Sequence, residues 1–355
     1  MPNFPTPSSR PRTATKACSS EPRAAPASAS TSIGTRSTGT RSTPDGGAHQ
    51  AMIPEDLDAF LLDRVASNRM PGLSLVLLSG DVTLERHLGF RDLESRVPPA
   101  GDTRYGIGSV TKLFTALATL RLANDGAFSL DEPVARHLPE VAGAFSPGVT
   151  IADLLAHTSG LPALGFSESK MSDRWYPHGL PVGGWPDVAS FLSGADAWRT
   201  DPPGRRWRYS NEGYLALGAL IERTTDEPYV EHVTRTLLEP LEMSRSTFHR
   251  DTVEADDDRV TPLMTDDDGD YVPGANLYGP VPAAGGLVST PSDLATFARH
   301  LMNALAGADD GAWLAPRVRS WLAEPRIALD PEGATPLDDL DLWSDPRRWH
   351  GLGPQ

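Results

Sequence analysis

The most informative segment of this chain is Ser109-Val-Thr-Lys112-Leu-Phe-Thr-Ala-Leu117. It follows Gly106-Ile-Gly108, and Gly126 stands where glycine commonly ends a helix. This arrangement predicts a helix from Ser109 to Asp125, with an apolar face made of Val110, Leu113, Phe114 and Leu117. Such a face is typical of a helix that packs against a globular core.

Ser109 and Lys112 are about one helical turn apart, so their side chains share a face and come within hydrogen-bond reach. A serine hydroxyl needs an adjacent base to act as a nucleophile, and a helix N-terminus stabilises the developing alkoxide. The same spacing recurs at Ser167 and Lys170. On these residues alone, Ser109 is either a nucleophile beside its base or an N-cap hydroxyl followed by a solvated lysine.

Tyr209-Ser-Asn211 lies far downstream, directly before another predicted helix. Side chains two residues apart in an extended chain point the same way, so the phenol and the carboxamide can face one site. They would add a second proton-transfer group and an amide that binds a carbonyl. Taken alone, the tripeptide favours the simpler interpretation of a packed tyrosine followed by an N-cap asparagine.

The order of predicted elements indicates an α+β fold with an antiparallel sheet lobe, flanking helices and a helical lobe. Strands at Leu73–Leu78 and Val82–Phe90 flank a turn. Further helices are predicted on the apolar stripe Leu57, Phe60, Leu61 and Val65, after the capping box at Thr150–Asp153, after Asn211, and from Pro291 onward. Two strands alone make only a marginal sheet.

The chain divides into a tail, residues 1–50, and one domain, residues 51–355. The tail contains 17 Ser or Thr and 7 Pro, so it buries too little apolar surface to order and is predicted to be disordered. It lacks the apolar core of a signal peptide. It is either a translated tail or the product of a start codon assigned too early, with the chain beginning at Met52. The single cysteine, Cys18, excludes an intrachain disulfide.

The charge pattern indicates which binding partners and which cellular compartment to expect for this chain. The formal net charge is −15, which argues against binding to nucleic acid or to an anionic membrane surface. No apolar run approaches the ~18 residues of a membrane span. Asp outnumbers Glu by 31 to 16, and Arg outnumbers Lys by 29 to 3. We interpret this as a halophilic, cytoplasmic surface adapted to concentrated salt. A high-GC genome is the alternative explanation of the arginine excess.

We expect no metal and no cofactor. Asp266–Asp270 has alternating oxygen ligands, but its glycine lies two places early for a calcium loop, and position 277 is Leu. We interpret it as a solvated hairpin turn, and Asp256–Asp258 as another.

The ordered motifs resemble the serine β-lactamase and penicillin-binding-protein superfamily, specifically its class C β-lactamase-like branch. The resemblance runs from about Leu57 to Leu352 in six collinear blocks: Ser109–Leu117, Leu130–Pro139, Leu154-Leu-Ala-His-Thr-Ser-Gly-Leu-Pro162, Tyr209–Tyr214, Leu238–Met243 and Pro282–Asp293. Several blocks in order are far more specific than any one of them.

The resemblance implies a β-lactamase/transpeptidase-like fold and an acyl-enzyme serine hydrolase. Ser109 would be the nucleophile, and its N–H would form half of the oxyanion hole. Lys112 would take the hydroxyl proton, Tyr209 would exchange protons with the leaving group and water, and Asn211 would bind the substrate near its carbonyl. His157 would have a structural role as a loop staple, and Lys170 would be solvated.

One family signature, Lys- or His-x-Gly on a central strand near the C-terminus, is not matched. Trp349-His350-Gly-Leu-Gly353 resembles the segment that precedes that strand. We therefore expect the C-terminal strands of the sheet and the second oxyanion donor to be missing. One lost donor costs about 2.7–4 kcal/mol of barrier, so labelling of Ser109 by an acylating probe should be weak or absent.

Two functional hypotheses follow. The first is a serine hydrolase that acts on a small-molecule ester or amide, of β-lactamase, D-aminopeptidase or esterase type. The second is a non-catalytic truncated remnant or binding module of the same family. The natural substrate and the oligomeric state are not determined by the sequence.

Overall fold

The computed structural model describes residues 57–145, 148–164, 185–266, 269–274, 282–309, 313–328 and 349–350. The predictions for the tail, for Cys18, for Met52 and for Lys170 lie outside the described residues.

The α-helices in these ranges are α1 (Leu57–Ser67), α2 (Thr111–Asn124), α3 (Ile151–Leu155), α4 (Trp185–Leu192), α5 (Asn211–Thr225), α6 (Tyr229–Val233), α7 (Arg250–Glu254), α8 (Pro282–Gly285), α9 (Pro291–Leu305) and α10 (Pro316–Ala323). The strands are β1 (Gly72–Ser79), β2 (Val82–Gly89), β3 (Tyr105–Gly106), β4 (Leu263–Thr265), β5 (Tyr271–Pro273), β6 (Val288–Ser289), β7 (Ile327–Ala328) and β8 (Trp349–His350). They form four antiparallel pairs, β1–β2, β3–β6, β4–β5 and β7–β8. This mixture of helices and short antiparallel strands confirms the α+β prediction.

The longest strand pair is the β1–β2 hairpin, which confirms the prediction of two strands around a turn. Its register runs from Gly72 opposite Gly89 to Ser79 opposite Val82. Helix α9 contacts β1, and α1 contacts β2. The predicted stripe on α1 is only partly correct, because Leu61 is buried while Phe60 is 56% exposed.

Helix α2 is the central helix of the core. Phe114, Leu117 and Leu120 have no exposed surface, and α2 contacts α5 and α8. The ring of Phe114 stacks on that of Phe297, with the centroids 4.4 Å apart, and this joins α2 to α9. The predicted face is wrong at Val110, which is 48% exposed beside Ser109.

Two predicted acidic turns have different outcomes. The segment after β4 is a hairpin turn, as predicted, because the Asp266 N–H donates to the Asp270 carbonyl oxygen. The prediction that Asp256–Asp258 is a solvated hairpin turn is wrong at Asp256 and Asp258, whereas Asp257 is exposed. Asp256 pairs with Arg104 and Arg245, each at 2.8 Å, and Asp258 pairs with Arg91. Carboxylates this close to guanidinium groups hold neighbouring segments together rather than facing water.

Within the described ranges, none of the helices combines the length and the apolar character needed to cross a bilayer.

Candidate active site

Ser109 lies at an exposed bend immediately before α2. Gly108 has a φ of +50°, a backbone conformation that favours glycine, and a 3₁₀ turn at Gly108–Val110 leads into the α-helix at Thr111. Ser109 is therefore one turn outside the α-helix proper, a small correction to the predicted start. Its side chain is accessible, whereas Lys112, on the first turn of α2, has no exposed surface.

Lys112 is held by three oxygen atoms. Its Nζ donates to Ser109 Oγ at 3.0 Å, to Asn211 Oδ1 at 2.7 Å and to the Ala284 carbonyl at 2.6 Å. The oxygens of Asn211 and Ala284 can only accept, so two N–H bonds of the amine point at them. The third position on Nζ faces Ser109, where it can carry either an N–H or a lone pair.

Tyr209 lies on the other side of the serine hydroxyl. Its phenolic oxygen is 2.6 Å from Ser109 Oγ, and either atom can be the donor. Lys112 Nζ lies 4.9 Å from the centroid of the Tyr209 ring. The hydroxyl of Ser109 is therefore shared between an amine and a phenol, as the sequence motifs predicted.

Asn211 is the first residue of α5, and Ser210 is the N-cap, since its side chain accepts from the Gly213 N–H. The N-cap interpretation of Asn211 is therefore wrong by one residue. A cap at Ser210 leaves the Asn211 carboxamide available for Lys112, because the cap hydrogen bond is already made by the serine.

The segment Pro282–Leu287, part of the last motif block, packs against α2, a contact that the motifs did not predict. Thr115 Oγ1 donates to the Ala283 carbonyl at 2.7 Å, and Thr111 Oγ1 accepts from the Leu287 N–H at 3.1 Å. These bonds flank the contact between Lys112 and the Ala284 carbonyl. The spacing of Thr111, Lys112 and Thr115 along one helix face was the available signal, but a backbone carbonyl partner has no signature in a sequence.

His157 packs against Tyr209. Its ring centroid lies 4.6 Å from that of Tyr209 and 4.9 Å from that of Tyr214, and its side chain is 2% exposed. Its Nδ1 accepts the Ser210 N–H at 3.2 Å, and its carbonyl accepts the Arg208 N–H at 2.7 Å. These are the contacts of a loop staple, the structural role that the sequence resemblance implied.

Tyr214 belongs to the supporting layer of the site. Burial raises the pKa of its phenol, and negative charge on Tyr209 would raise that pKa further. Its hydroxyl donates to the Leu155 carbonyl at 3.0 Å. Tyr214 therefore stays protonated and fixes α5 to α3.

No group of three His, Cys, Asp or Glu side chains is arranged to hold a metal in the part of the chain that the structure describes.

Comparison with known proteins identifies the class. The Beta-lactamase family model matches residues 21–339, so the chain belongs to the Beta-lactamase family. This confirms the resemblance inferred from the motifs and the β-lactamase/transpeptidase-like fold.

Three relatives show the range of the similarity. The chain is 29% identical over 210 residues to Protein flp of Staphylococcus aureus, which covers 58% of this chain and 40% of that protein. It is 31% identical to the octameric penicillin-binding protein homologue from Pyrococcus abyssi, with a TM-score of 0.70, over 77% of this chain and 60% of that one. A class C beta-lactamase has a TM-score of 0.60 at 22% identity, over 76% of this chain and 69% of that one, and shows the shared fold alone. The chain thus spans about two-fifths of the length of the Protein flp sequences that it matches.

Proposed function

We propose that this chain is a serine hydrolase that forms an acyl-enzyme on Ser109 with a small-molecule ester or amide. The observation that carries the proposal is the shared hydroxyl: Ser109 Oγ lies 3.0 Å from Lys112 Nζ and 2.6 Å from the Tyr209 hydroxyl. Both are distances at which a proton can pass between heavy atoms. Membership of the Beta-lactamase family supports the same chemistry.

In the proposed acylation step, Ser109 Oγ attacks the substrate carbonyl carbon while its proton moves to the neutral amine of Lys112. Asn211 and Ala284 hold the two N–H bonds of that amine, so its lone pair is directed at Ser109. The step requires the neutral form of Lys112, whose side chain has no exposed surface.

The leaving group then needs a proton, and Tyr209 is the proposed donor. Its hydroxyl lies 2.6 Å from Ser109 Oγ, and the phenolate left after this transfer recovers a proton from the Lys112 ammonium, which took the serine proton during acylation. In deacylation Tyr209 would give its proton to Ser109 Oγ as the acyl–oxygen bond breaks and take one from the attacking water, so that both residues end protonated. The Asn211 carboxamide, fixed by Lys112, would contact the substrate beside its carbonyl.

The test is covalent labelling of the full chain with a fluorophosphonate, followed by intact mass and peptide mapping. We expect one slow adduct, located on Ser109, that disappears in Ser109→Ala. Ser193→Ala, at an exposed serine just after α4, is the matched control and should label like the parent.

Two outcomes would contradict the proposal. Labelling that survives Ser109→Ala would reject Ser109 as the nucleophile. A folded parent chain that acquires no adduct after prolonged incubation would favour the alternative, a non-catalytic binding module.

A further inference from the structure

The backbone of Ser210 links the two functional residues on either side of it. Tyr209 contacts Ser109, and Asn211 contacts Lys112, so a shift of the peptide between them moves both groups at once. The N–H of Ser210 is bound by His157 Nδ1 at 3.2 Å. The His157 imidazole therefore fixes the peptide whose movement would displace both the Tyr209 phenol and the Asn211 carboxamide.

The direction of this hydrogen bond sets the charge and the tautomer of His157. A backbone N–H can only donate, so Nδ1 must carry a lone pair, and the ring proton of the neutral imidazole resides on Nε2. Protonating Nδ1 would place two donors face to face in a buried position. His157 thus acts on Ser210 as a neutral acceptor.

The backbone of His157 has an unusual conformation. Its φ is +56°, a left-handed conformation that costs energy in most residues and is tolerated best by Gly and Asn. It follows α3, whose capping box pairs Thr150 with Asp153, and Asp153 also accepts from the Thr158 hydroxyl. Strain of this kind persists where the surrounding contacts over-determine it.

We propose that His157 is a positioning residue for acylation: by accepting the Ser210 N–H, it holds the Tyr209 phenol on Ser109 and the Asn211 carboxamide on Lys112. The inference rests on the proposed function, because it assigns His157 an effect on the rate at Ser109. His157 is not itself a proton carrier in this scheme. A displacement of about 1 Å at a catalytic group can cost a factor of about 100 in rate.

Two variants of His157 distinguish the effect of its hydrogen-bond acceptor from the effect of its positive φ. His157→Gly and His157→Asn both suit a positive φ, but only Asn restores an acceptor oxygen near the position of Nδ1. We expect His157→Gly to slow fluorophosphonate labelling of Ser109 about 100-fold. We expect His157→Asn to recover to within about tenfold of the parent, the range of a typical hydrogen bond.

His232→Asn is the matched control. His232 is also buried, and its Nδ1 lies 3.2 Å from a carboxylate oxygen of Glu227, so its ring bonds a side chain rather than the Ser210 N–H. Its loss should lower the melting temperature and leave the labelling rate within about twofold, as for sites remote from the chemistry. Equal rate losses in His157→Gly and His157→Asn, or parent-like labelling in His157→Gly, would overturn the inference.

A second readout needs no activity. The ¹³Cζ resonance of Tyr209, assigned by its loss in Tyr209→Phe, should shift in His157→Gly and return towards the parent position in His157→Asn. If the parent fails to label but the resonance behaves in this way, the proposed function is wrong and the positioning contact stands. If the parent labels and the resonance does not move in His157→Gly, the positioning role is wrong.

Discussion

Lys112 donates a 2.6 Å hydrogen bond to the backbone carbonyl of Ala284, so a side chain from α2 is fixed by the main chain of a segment far downstream. A backbone carbonyl does not titrate. The Ala284 carbonyl is also held in place, because the neighbouring Ala283 carbonyl accepts a hydrogen bond from Thr115. This contact orients the amine without adding a charge. The interior position of Lys112 is therefore compatible with a base rather than with a surface ion pair.

We expect Lys112→Met to reduce the rate of Ser109 labelling by a factor of about 10²–10⁴, the usual contribution of a positioned proton-transfer group. Methionine fills similar space without the amine, so circular dichroism should show a folded chain. Labelling kinetics by mass spectrometry measure the effect.

Lys170→Ala is the comparison for that variant, because the second Ser-x-x-Lys pair is predicted to be solvated. Loss of a solvated lysine should leave the rate within a few-fold of the parent. If Lys170→Ala proves the damaging change, the wrong serine–lysine pair has been assigned.

Tyr209→Phe should also slow acylation, by a factor of about 10²–10⁴, because the ring remains packed on His157 while the 2.6 Å contact with Ser109 is lost. Single-turnover labelling is the measurement. Tyr271→Phe removes a phenol of similar exposure that donates to the Arg69 carbonyl and should leave the rate unchanged. A Tyr209→Phe protein that reacts at the parent rate would remove the phenol from the mechanism.

Gly218→Ala should destabilise the chain by about 1–3 kcal/mol, the usual cost of overpacking. A Cβ on Gly218 of α5 would lie 2.6 Å from the Ala283 Cβ of α8, so one helix must move. The movement would displace the Ala284 carbonyl from Lys112 and slow labelling as well. Urea unfolding and labelling kinetics measure the two effects.

Gly143→Ala is the control for crowding, because a Cβ there meets its nearest neighbour at 3.7 Å, an ordinary contact. It should unfold at a urea concentration close to that of the parent. A Gly218→Ala protein as stable as Gly143→Ala would show that α5 and α8 separate without cost.

Glu227 should contribute to acid sensitivity. Hydrogen bonds from Arg235, followed by that from His232, lower the pKa of its carboxyl from 4.5 to about 2. Because the folded-state pKa is the lower one, the stabilisation is present at neutral pH and is lost as the pH falls from about 4.5 towards about 2. The difference in melting temperature between the parent and Glu227→Gln should therefore shrink across that interval. A difference that stays constant down to pH ~2 would contradict this assignment.

Much of the local structure could be predicted because its signals are local. Two strand-like stretches on either side of a turn identified the β1–β2 hairpin, and the capping box at Thr150 identified the start of α3. The same reasoning failed at Phe60 and at Asp256, where burial depends on which distant segment packs against the residue. A helical stripe predicts a face but not whether a partner covers all of it.

Residue type and spacing alone left the roles of Ser109, Lys112, Tyr209 and Asn211 open, and it was the resemblance of the ordered motif blocks to a known family that singled them out. The packing of α2, α5 and α8 alone brought Tyr209 to the Ser109 hydroxyl and Asn211 to the Lys112 amine. The contacts of the Ala284 carbonyl with Lys112 and of the Ser210 N–H with His157 also depend on this packing. Every residue but proline carries both main-chain groups, so composition and pattern say nothing about which of them a fold will use.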